Sequence, residues 1–414
     1  MKRRVVITGL GVVSSVGNDL EQFWNSLKNG VSGIKKVTKF NTEGFKVRIG
    51  GEVRDFEPEK YFDKKWINRT EPYIHYAGAA ALDAVKLSGL DLNSVIPERM
   101  GVLVGSGIGG IRIIEEQVKL MNERGPDRIS PFLITKMITD IVPGRLAMLF
   151  NAKGPNFSIS TACATGTHSI GEAFRVIQRG DADLMLCGGT ESSITPLAYA
   201  GFGAIKAISA SHNESPEKAS RPFDKDRDGF VIAEGAGILL LETLENAEKR
   251  GANILGELVG YGNTADAYHE TAPHPEGEGA FRSIICALED AEVAKEEVSY
   301  INAHGTSTEL NDIMETKAIK KAFGELAYKI PVSSTKSMHG HVLGATGAIE
   351  AIACIMAMKD NIIPPTINLD EPDPECDLNY VPNKAIKTEV NTVLTNSFGF
   401  GGHNATLIFK RFNG

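Results

Sequence analysis

The chain has 414 residues, 42% hydrophobic and 23% charged, enough apolar content to bury a large core in two domains of similar size. Its formal charge of -8 argues against a general nucleic-acid binder, which needs a net basic surface to displace counterions from phosphates, so an acidic partner must meet a local basic patch. Five cysteines without a C-x-x-C pair fit a reduced, cytoplasmic setting better than a disulfide framework, and no apolar stretch approaches the roughly 18 residues of a membrane span.

Met1-Lys2-Arg3-Arg4 followed by the apolar run Val5 to Val13 has the outline of a secretory signal, yet no small-x-small cleavage site follows. The glycines at 9 and 11 read instead as a buried strand entering a turn. They do not make a dinucleotide fingerprint, since Ser14 stands at the third glycine and the acidic residue expected about 20 positions on is missing. Short β-branched runs without polar alternation then alternate with longer amphipathic segments, the pattern of strands covered on both faces by helices. The predicted strands are Arg4 to Gly9, Met100 to Val104, Asn156 to Ile159, Leu184 to Gly188, Tyr300 to Ala303 and Thr392 to Asn396, which makes an α/β chain.

Three echoes suggest that the second half replays the first. Gly105-Ser106-Gly107 answers to His304-Gly305-Thr306, Cys163 to Gly166 answers to His341 to Gly344, and Leu186 to Gly189 answers to Thr395 to Gly399. Their shared order places a junction near residue 252, where loops of both halves would gather into one site. Asp224 to Gly229 imitates the opening of a calcium loop, but Gly235 occupies the bidentate position and a strand-like run follows. The proline-rich stretch 364 to 374 reads as an extended surface loop.

Cys163 lies between an apolar run and a segment with Ile170, Ala173, Phe174 and Ile177 at helical spacing. A thiol at a helix N-terminus faces free N–H groups and the positive dipole end, which favour thiolate. The motif alone fits a buried small hydrophobe equally well. Cys187, Cys286, Cys354 and Cys376 lack this setting and read as packing residues. His304 opens a turn with small hydroxyl residues, and Lys336 to His341 leads into a Gly/Ala-rich helix start. A zinc site of one Cys and two His is the competing reading, against which stand the long separations between them.

Thr161-Ala162-Cys163-Ala164, His304 to Thr308, Lys336 to His341 and Asn396 to Gly402, in that order, resemble the β-ketoacyl-[acyl carrier protein] synthases, above all the chain-elongating type. The resemblance runs nearly end to end and includes Arg221-Pro222-Phe223-Asp224 and Pro364 to Asn368. It implies a thiolase-like α/β fold of two duplicated halves with mixed sheets layered between helices, residues 1–252 carrying the nucleophile and 253–414 both histidines, normally as a homodimer. The implied reaction is the decarboxylative Claisen condensation of fatty acid elongation. A malonyl group on acyl carrier protein joins a Cys-bound acyl group, giving a 3-oxoacyl-carrier and CO2. No cofactor is implied beyond the carrier's own phosphopantetheine, and no metal.

Carried over by position, Cys163 is the nucleophile, the backbone N–H groups of Cys163 and Phe400 form the oxyanion hole, and His304 and His341 promote decarboxylation. Lys336 tunes the charge of the site and Glu350 joins its hydrogen-bond network. Phe400 is the family's gate. Ile108, Phe202 and Leu133 are candidate walls of the acyl pocket, Thr306 and Thr308 are candidate contacts to the substrate's amides, and Lys64, Lys65, Arg69, Arg128 and Lys206 are candidate contacts to the acidic carrier. A degradative thiolase would place a second cysteine in the Gly-rich C-terminal turn, and the initiating synthase carries Asn at the position of His341. His339 and His403 depart from the family's usual Thr, in loops expected near the site. A polyketide-type ketosynthase on the same scaffold, a non-catalytic chain-length subunit and a metal or redox protein are the alternatives.

Overall fold

A computed structural model describes residues 3–414, so Met1 and Lys2 of the signal-like start lie outside the described residues. Each run expected as a strand is one, with shifted ends: β1 (Val5–Val13), β2 (Met100–Gly105), β3 (Asn156–Phe157), β4 (Leu184–Glu191), β7 (Tyr300–Asn302) and β9 (Thr392–Gly399). To these are added β5 (Gly235–Thr243), β6 (Gly256–Ala265), β8 (Val332–Ser333) and β10 (His403–Lys410). They join in one mixed sheet in the order β8-β7-β9-β10-β6-β1-β5-β4-β2-β3.

From either edge inward the pattern is the same. β3, β2 and β4 run parallel, with β5 and then β1 added antiparallel. β8, β7 and β9 run parallel, with β10 and then β6 added antiparallel. The two half-sheets meet where Val5, Val6 and Ile7 pair with Leu258, Glu257 and Gly256.

Seven helices matter to the site: α1 (Pro72–Ser88), α2 (Ile141–Phe150), α3 (Thr165–Arg179), α4 (Pro196–Ala204), α5 (Glu278–Ala291), α6 (Glu309–Phe323) and α7 (Thr346–Asp360). α1 covers the outer face of the first half-sheet, α5 that of the second with α6 beside it, and α3 and α7 pack on each other between the two. Five layers result, so strands and central helices alike are covered on both sides. Accordingly α7 is buried from Thr346 through Met358, as an apolar helix in the middle of a protein must be.

The structure shifts one of the echoes. α3 and α7 each follow a single 3-10 turn, Ala162–Ala164 and Leu343–Ala345, whose first residue is left-handed, with φ 50° at Ala162 and 45° at Leu343. This matches Cys163-Ala164-Thr165-Gly166 to Gly344-Ala345-Thr346-Gly347, and not to the segment beginning at His341. Both alignments satisfy the spacing of small residues; the backbone dihedrals select between them.

Three further expectations change. β1 does not turn at its glycines but runs on to Val13, and Gly9 and Gly11 serve a close approach of α1: a Cβ at Gly11 would lie 1.8 Å from the Ala80 carbonyl oxygen. The proline-rich stretch is buried from Ile363 through Ile367, because Thr366 N–H bonds to Val381 O and Ile367 N–H to Ser337 Oγ. Cys286 is exposed on α5 and is no packing residue. The calcium look-alike is consumed by the protein itself, since Asp224 accepts from Arg221 Nε and from the N–H groups of Asp226, Asp370 and Glu371. Among the described residues no helix is long and apolar enough to cross a membrane.

Gly11→Val must push α1 off β1, and the loss of overpacked contact is expected to cost about 1–3 kcal/mol. Thermal melts should show a lowered Tm; an unchanged Tm would mean that α1 is free to retreat.

Candidate active site

Small side chains bring the nucleophile turn and the C-terminal hairpin together. Cys163 heads α3 at 8% exposure. Gly399, at the end of β9, presses on its turn: a Cβ there would lie 2.6 Å from Thr161 O and 3.2 Å from Cys163 N, so a side chain would part the two. The next residue, Phe400, directs its N–H at the Cys163 sulfur. Burial pushes the thiol up to about 12, and the Lys336 ammonium and the N–H groups of Phe400 and Cys163 oppose that only in part. The expectation of a thiolate favoured by the helix N-terminus is thereby overturned. Cys163 packs in an apolar cluster with Phe230 and Leu343, where desolvating a charge outweighs the nearby dipoles.

The histidines arrive from the other half. His304 follows β7, and its N–H and that of Gly305 both donate to Glu315 on α6, at 2.8 and 2.7 Å. His341 lies between α7's preceding turn and the strand-like segment 231–233, with its N–H on Val231 O and its carbonyl accepting from Ala233 N–H. Its Nδ1 receives the Leu343 N–H at 3.2 Å and lies 3.0 Å from Thr346 Oγ1. That nitrogen is an acceptor, so the ring proton sits on Nε2. The two rings stand edge to face at 5.6 Å, flanked by Phe398 beside His304 and Phe230 beside His341. Burial first, then the Lys336 charge, lowers both imidazoles well below their ordinary range. Both are therefore neutral.

Lys336 is 1% exposed and donates to the His304 carbonyl and, at 2.6 Å, to Glu350 Oε1. Burial raises the Glu350 carboxyl to about 7 against the pull of that ammonium.

Cys163 and the two histidines share a cleft of about 360 Å³, which Lys336 and Glu350 do not line. Cys163, His304, His341, Phe400, Thr306, Thr308 and Lys206 line it, and the hydroxyls of Thr306 and Thr308 lie 2.8 Å apart. Ile108 and Phe202 border the apolar cluster that contains Cys163. Leu133 is elsewhere: its short helix Leu133–Met137 is tied to α1 through Tyr73 Oη, which donates to Lys136 O and Ile138 O, and it reaches neither cluster nor cleft. Lys64, Lys65, Arg69 and Arg128 are exposed but do not border the cleft; Arg69 lies over the Phe132 ring.

His339 is buried within the short helix Lys336–His339, not in a loop, with its ring nitrogens on Gly340 O and Thr335 Oγ1, and it does not line the cleft. His403 begins β10, where it pairs with Gly399 across the Phe400 turn.

Two supporting carboxylates escaped the sequence reading. Glu315 fixes the His304 turn, and Glu191, at the end of β4, accepts from Gly107 and Gly344 N–H and from Ser106 Oγ, joining the Ile108 segment to the turn before α7. The available signal was an acid closing an otherwise apolar strand.

A thiol held near 12 ionises progressively through the neutral range. Alkylation of Cys163 by iodoacetamide should therefore climb about tenfold per pH unit from about pH 6 to 9. A plateau below about pH 8 in peptide mass spectra would show a preformed thiolate and contradict the burial effect.

The chain matches the model of the beta-ketoacyl synthase N-terminal domain over residues 2–247 and that of the C-terminal domain over 255–370. It is 52% identical over 411 residues to 3-oxoacyl-[acyl-carrier-protein] synthase 2 of Synechocystis sp., covering 99% of both chains. The synthase 2 of Staphylococcus aureus is 52% identical over 410 residues, again with 99% of each chain covered. Among solved structures, a type II polyketide ketosynthase in complex with its acyl-carrier protein superposes with a TM-score of 0.93 at 37% identity, over 100% of both chains. With both halves of the family model matched and a thiolase-like arrangement of helices and mixed sheet, this chain belongs to the β-ketoacyl synthase family.

Proposed function

We propose that the protein elongates fatty acyl chains as a 3-oxoacyl-[acyl carrier protein] synthase of the chain-extending type. The observation that carries this is a buried cysteine sharing one cleft with two neutral imidazoles. Imidazoles held far below their usual pKa are poor bases, yet a neutral ring still donates a hydrogen bond, which suits an oxygen that gains negative charge.

In the first half-reaction the Cys163 sulfur attacks the acyl thioester of the carrier. The Cys163 and Phe400 N–H groups hold the oxyanion, and collapse expels the carrier thiol, which keeps the proton lost by Cys163. In the second, malonyl-carrier loses CO2 and the electron pair of the broken C–C bond becomes an enolate, whose oxygen accepts from His341 Nε2–H and from His304. The enolate carbon attacks the acyl-enzyme and Cys163 departs as the thiolate, which takes up one proton from water to restore the thiol, leaving a 3-oxoacyl-carrier two carbons longer. Electrons balance within the substrates, so the cycle calls for no cofactor and no metal. Thr306 and Thr308 stand where the amides of the carrier's arm would pass, Phe400 closes over the sulfur, and Ile108 and Phe202 bound the acyl chain. The 52% identity to the synthase 2 relatives favours this reading over a polyketide product.

The carrier is acidic, and Lys206 at the cleft with Lys64, Lys65, Arg69 and Arg128 supplies the positive surface it needs. None of the five forms an ion pair among the described residues, so each is free to pair with a partner. A cytoplasmic homodimer completes the proposal. β3 is an edge strand with Phe157 40% exposed, and Met148 of neighbouring α2 is 66% exposed, an apolar border suited to a second copy.

Intact-mass spectrometry with acyl-carrier tests the assignment: the wild type should gain the acyl mass, Cys163→Ala should not, and malonyl-carrier should then release CO2 and the extended 3-oxoacyl product. Absence of acylation across several carriers would sink the nucleophile assignment. His341→Ala should slow decarboxylation by roughly two to three orders of magnitude while leaving acylation largely intact. Reversal of Lys65, Arg69 and Lys206 to Glu should raise KM for the carrier substrate with little change in kcat; unchanged KM would remove them from the interface.

A further inference from the structure

The nucleophile turn makes one contact that the chemistry above leaves unused. His168, in the first turn of α3, is 4% exposed; its Nδ1 lies 2.8 Å from Thr161 Oγ1 and its Nε2 lies 3.0 Å from Asn263 Oδ1 on β6. An amide oxygen only accepts, so Nε2 carries the ring proton and Nδ1 accepts from the Thr161 hydroxyl. Burial lowers this imidazole to about 4, which preserves that arrangement through the neutral range. Its ring also stands at 89° to that of His403, 6.4 Å between centroids, beside the hairpin that carries Phe400.

The turn needs restraint. Ala162 has a φ of 50°, a left-handed conformation that a residue with a Cβ keeps only where its surroundings over-determine it. Thr161, just before it, is held at three atoms. Its N–H donates to Thr165 Oγ1 at 2.9 Å, its carbonyl accepts from Ala164 N–H at 3.1 Å, and its hydroxyl meets His168. The first two bonds are internal to the turn. The third, through His168 to Asn263, ties the turn to the half of the chain that also supplies Phe400.

The duplicated turn supplies a control within the same molecule. At Leu343 the φ is 45° and Ala345 N–H bonds to Val342 O at 3.0 Å, so the same strained turn forms. There Thr161 and His168 are replaced by Val342 and Ile349, both fully buried hydrophobes that make no such bridge. The turn therefore folds without the hydroxyl–imidazole pair, which is present only in the copy that bears the cysteine.

We propose that His168 is a positioning residue for the acylation half-reaction, acting through Thr161 to aim the Cys163 sulfur and N–H so that this N–H and that of Phe400 converge on one oxyanion. The proposal rests on the elongation reading above. His168→Gln leaves Thr161 without its acceptor, whereas His168→Asn presents an oxygen near the place of Nδ1. Acylation of Cys163 is followed by intact mass in a single turnover, and decarboxylation of malonyl-carrier is measured separately.

His168→Gln and Thr161→Val should each slow acylation on the order of 10- to 100-fold, and the double variant should be no slower than either. His168→Asn should recover most of the rate, and decarboxylation should stay within about twofold throughout. Equal losses in both half-reactions, additive losses in the double variant, or wild-type acylation by His168→Gln would overturn the proposal. If the wild type takes no acyl group from any carrier, it is the elongation reading that fails. Alkylation of Cys163 by iodoacetamide needs no carrier and still reads whether the Gln and Asn variants differ.

Discussion

The Lys336 ammonium lies between the His304 carbonyl oxygen and the Glu350 carboxylate at 1% exposure, and after burial itself its charge is the largest influence on the thiol and both imidazoles of the cleft. Stripping an ammonium of water costs several kcal/mol, which Glu350 at 2.6 Å and the carbonyl offset. In return a positive charge stands in a medium that screens it weakly. It reinforces burial in lowering both histidines and opposes burial at the Cys163 thiol. A single charge thus adds to the burial that keeps two groups neutral and partly offsets the burial that holds a third protonated.

That balance leaves Cys163 as a protonated thiol. A buried thiolate awaiting substrate would be exposed to alkylation and oxidation, whereas a thiol held near 12 offers only a small thiolate fraction at neutral pH and reacts with such reagents correspondingly slowly. In the proposed acylation the placement of the two N–H donors therefore matters more than the resting charge on sulfur.

Duplication explains how those donors meet. The two half-sheets repeat one strand pattern, and each central helix begins after a strained 3-10 turn. The first copy places Cys163 on that turn and the second places Gly344; the first follows β2 with Gly105-Ser106-Gly107 and the second follows β7 with His304. Chemistry arises where the two copies differ, while their shared backbone maintains the alignment.

Much of this is legible in the residues. Uninterrupted β-branched runs marked the strands of a doubly covered sheet, since a strand buried on both faces has no reason to alternate. The motifs around Cys163, His304, Lys336 and Phe400 carry the family resemblance, and it is that resemblance which nominates these residues for the chemistry. Tertiary packing decided the rest. Gly9 and Gly11 look like a turn until α1 is seen resting on them; His339 looks adjacent to the site until Gly340 O and Thr335 Oγ1 occupy its ring. Leu133 is as apolar as Ile108, and only the fold shows that Ile108 packs against the cluster that holds Cys163. The ionisation of Cys163 followed the same rule: local sequence supplies a helix dipole, but desolvation depends on which distant side chains close around the sulfur. Residue type and local spacing therefore determined the α/β fold class, and the family resemblance nominated the candidate reacting residues, whereas burial, register and charge at the site were decided by contacts between segments far apart in the chain, which no local pattern encodes.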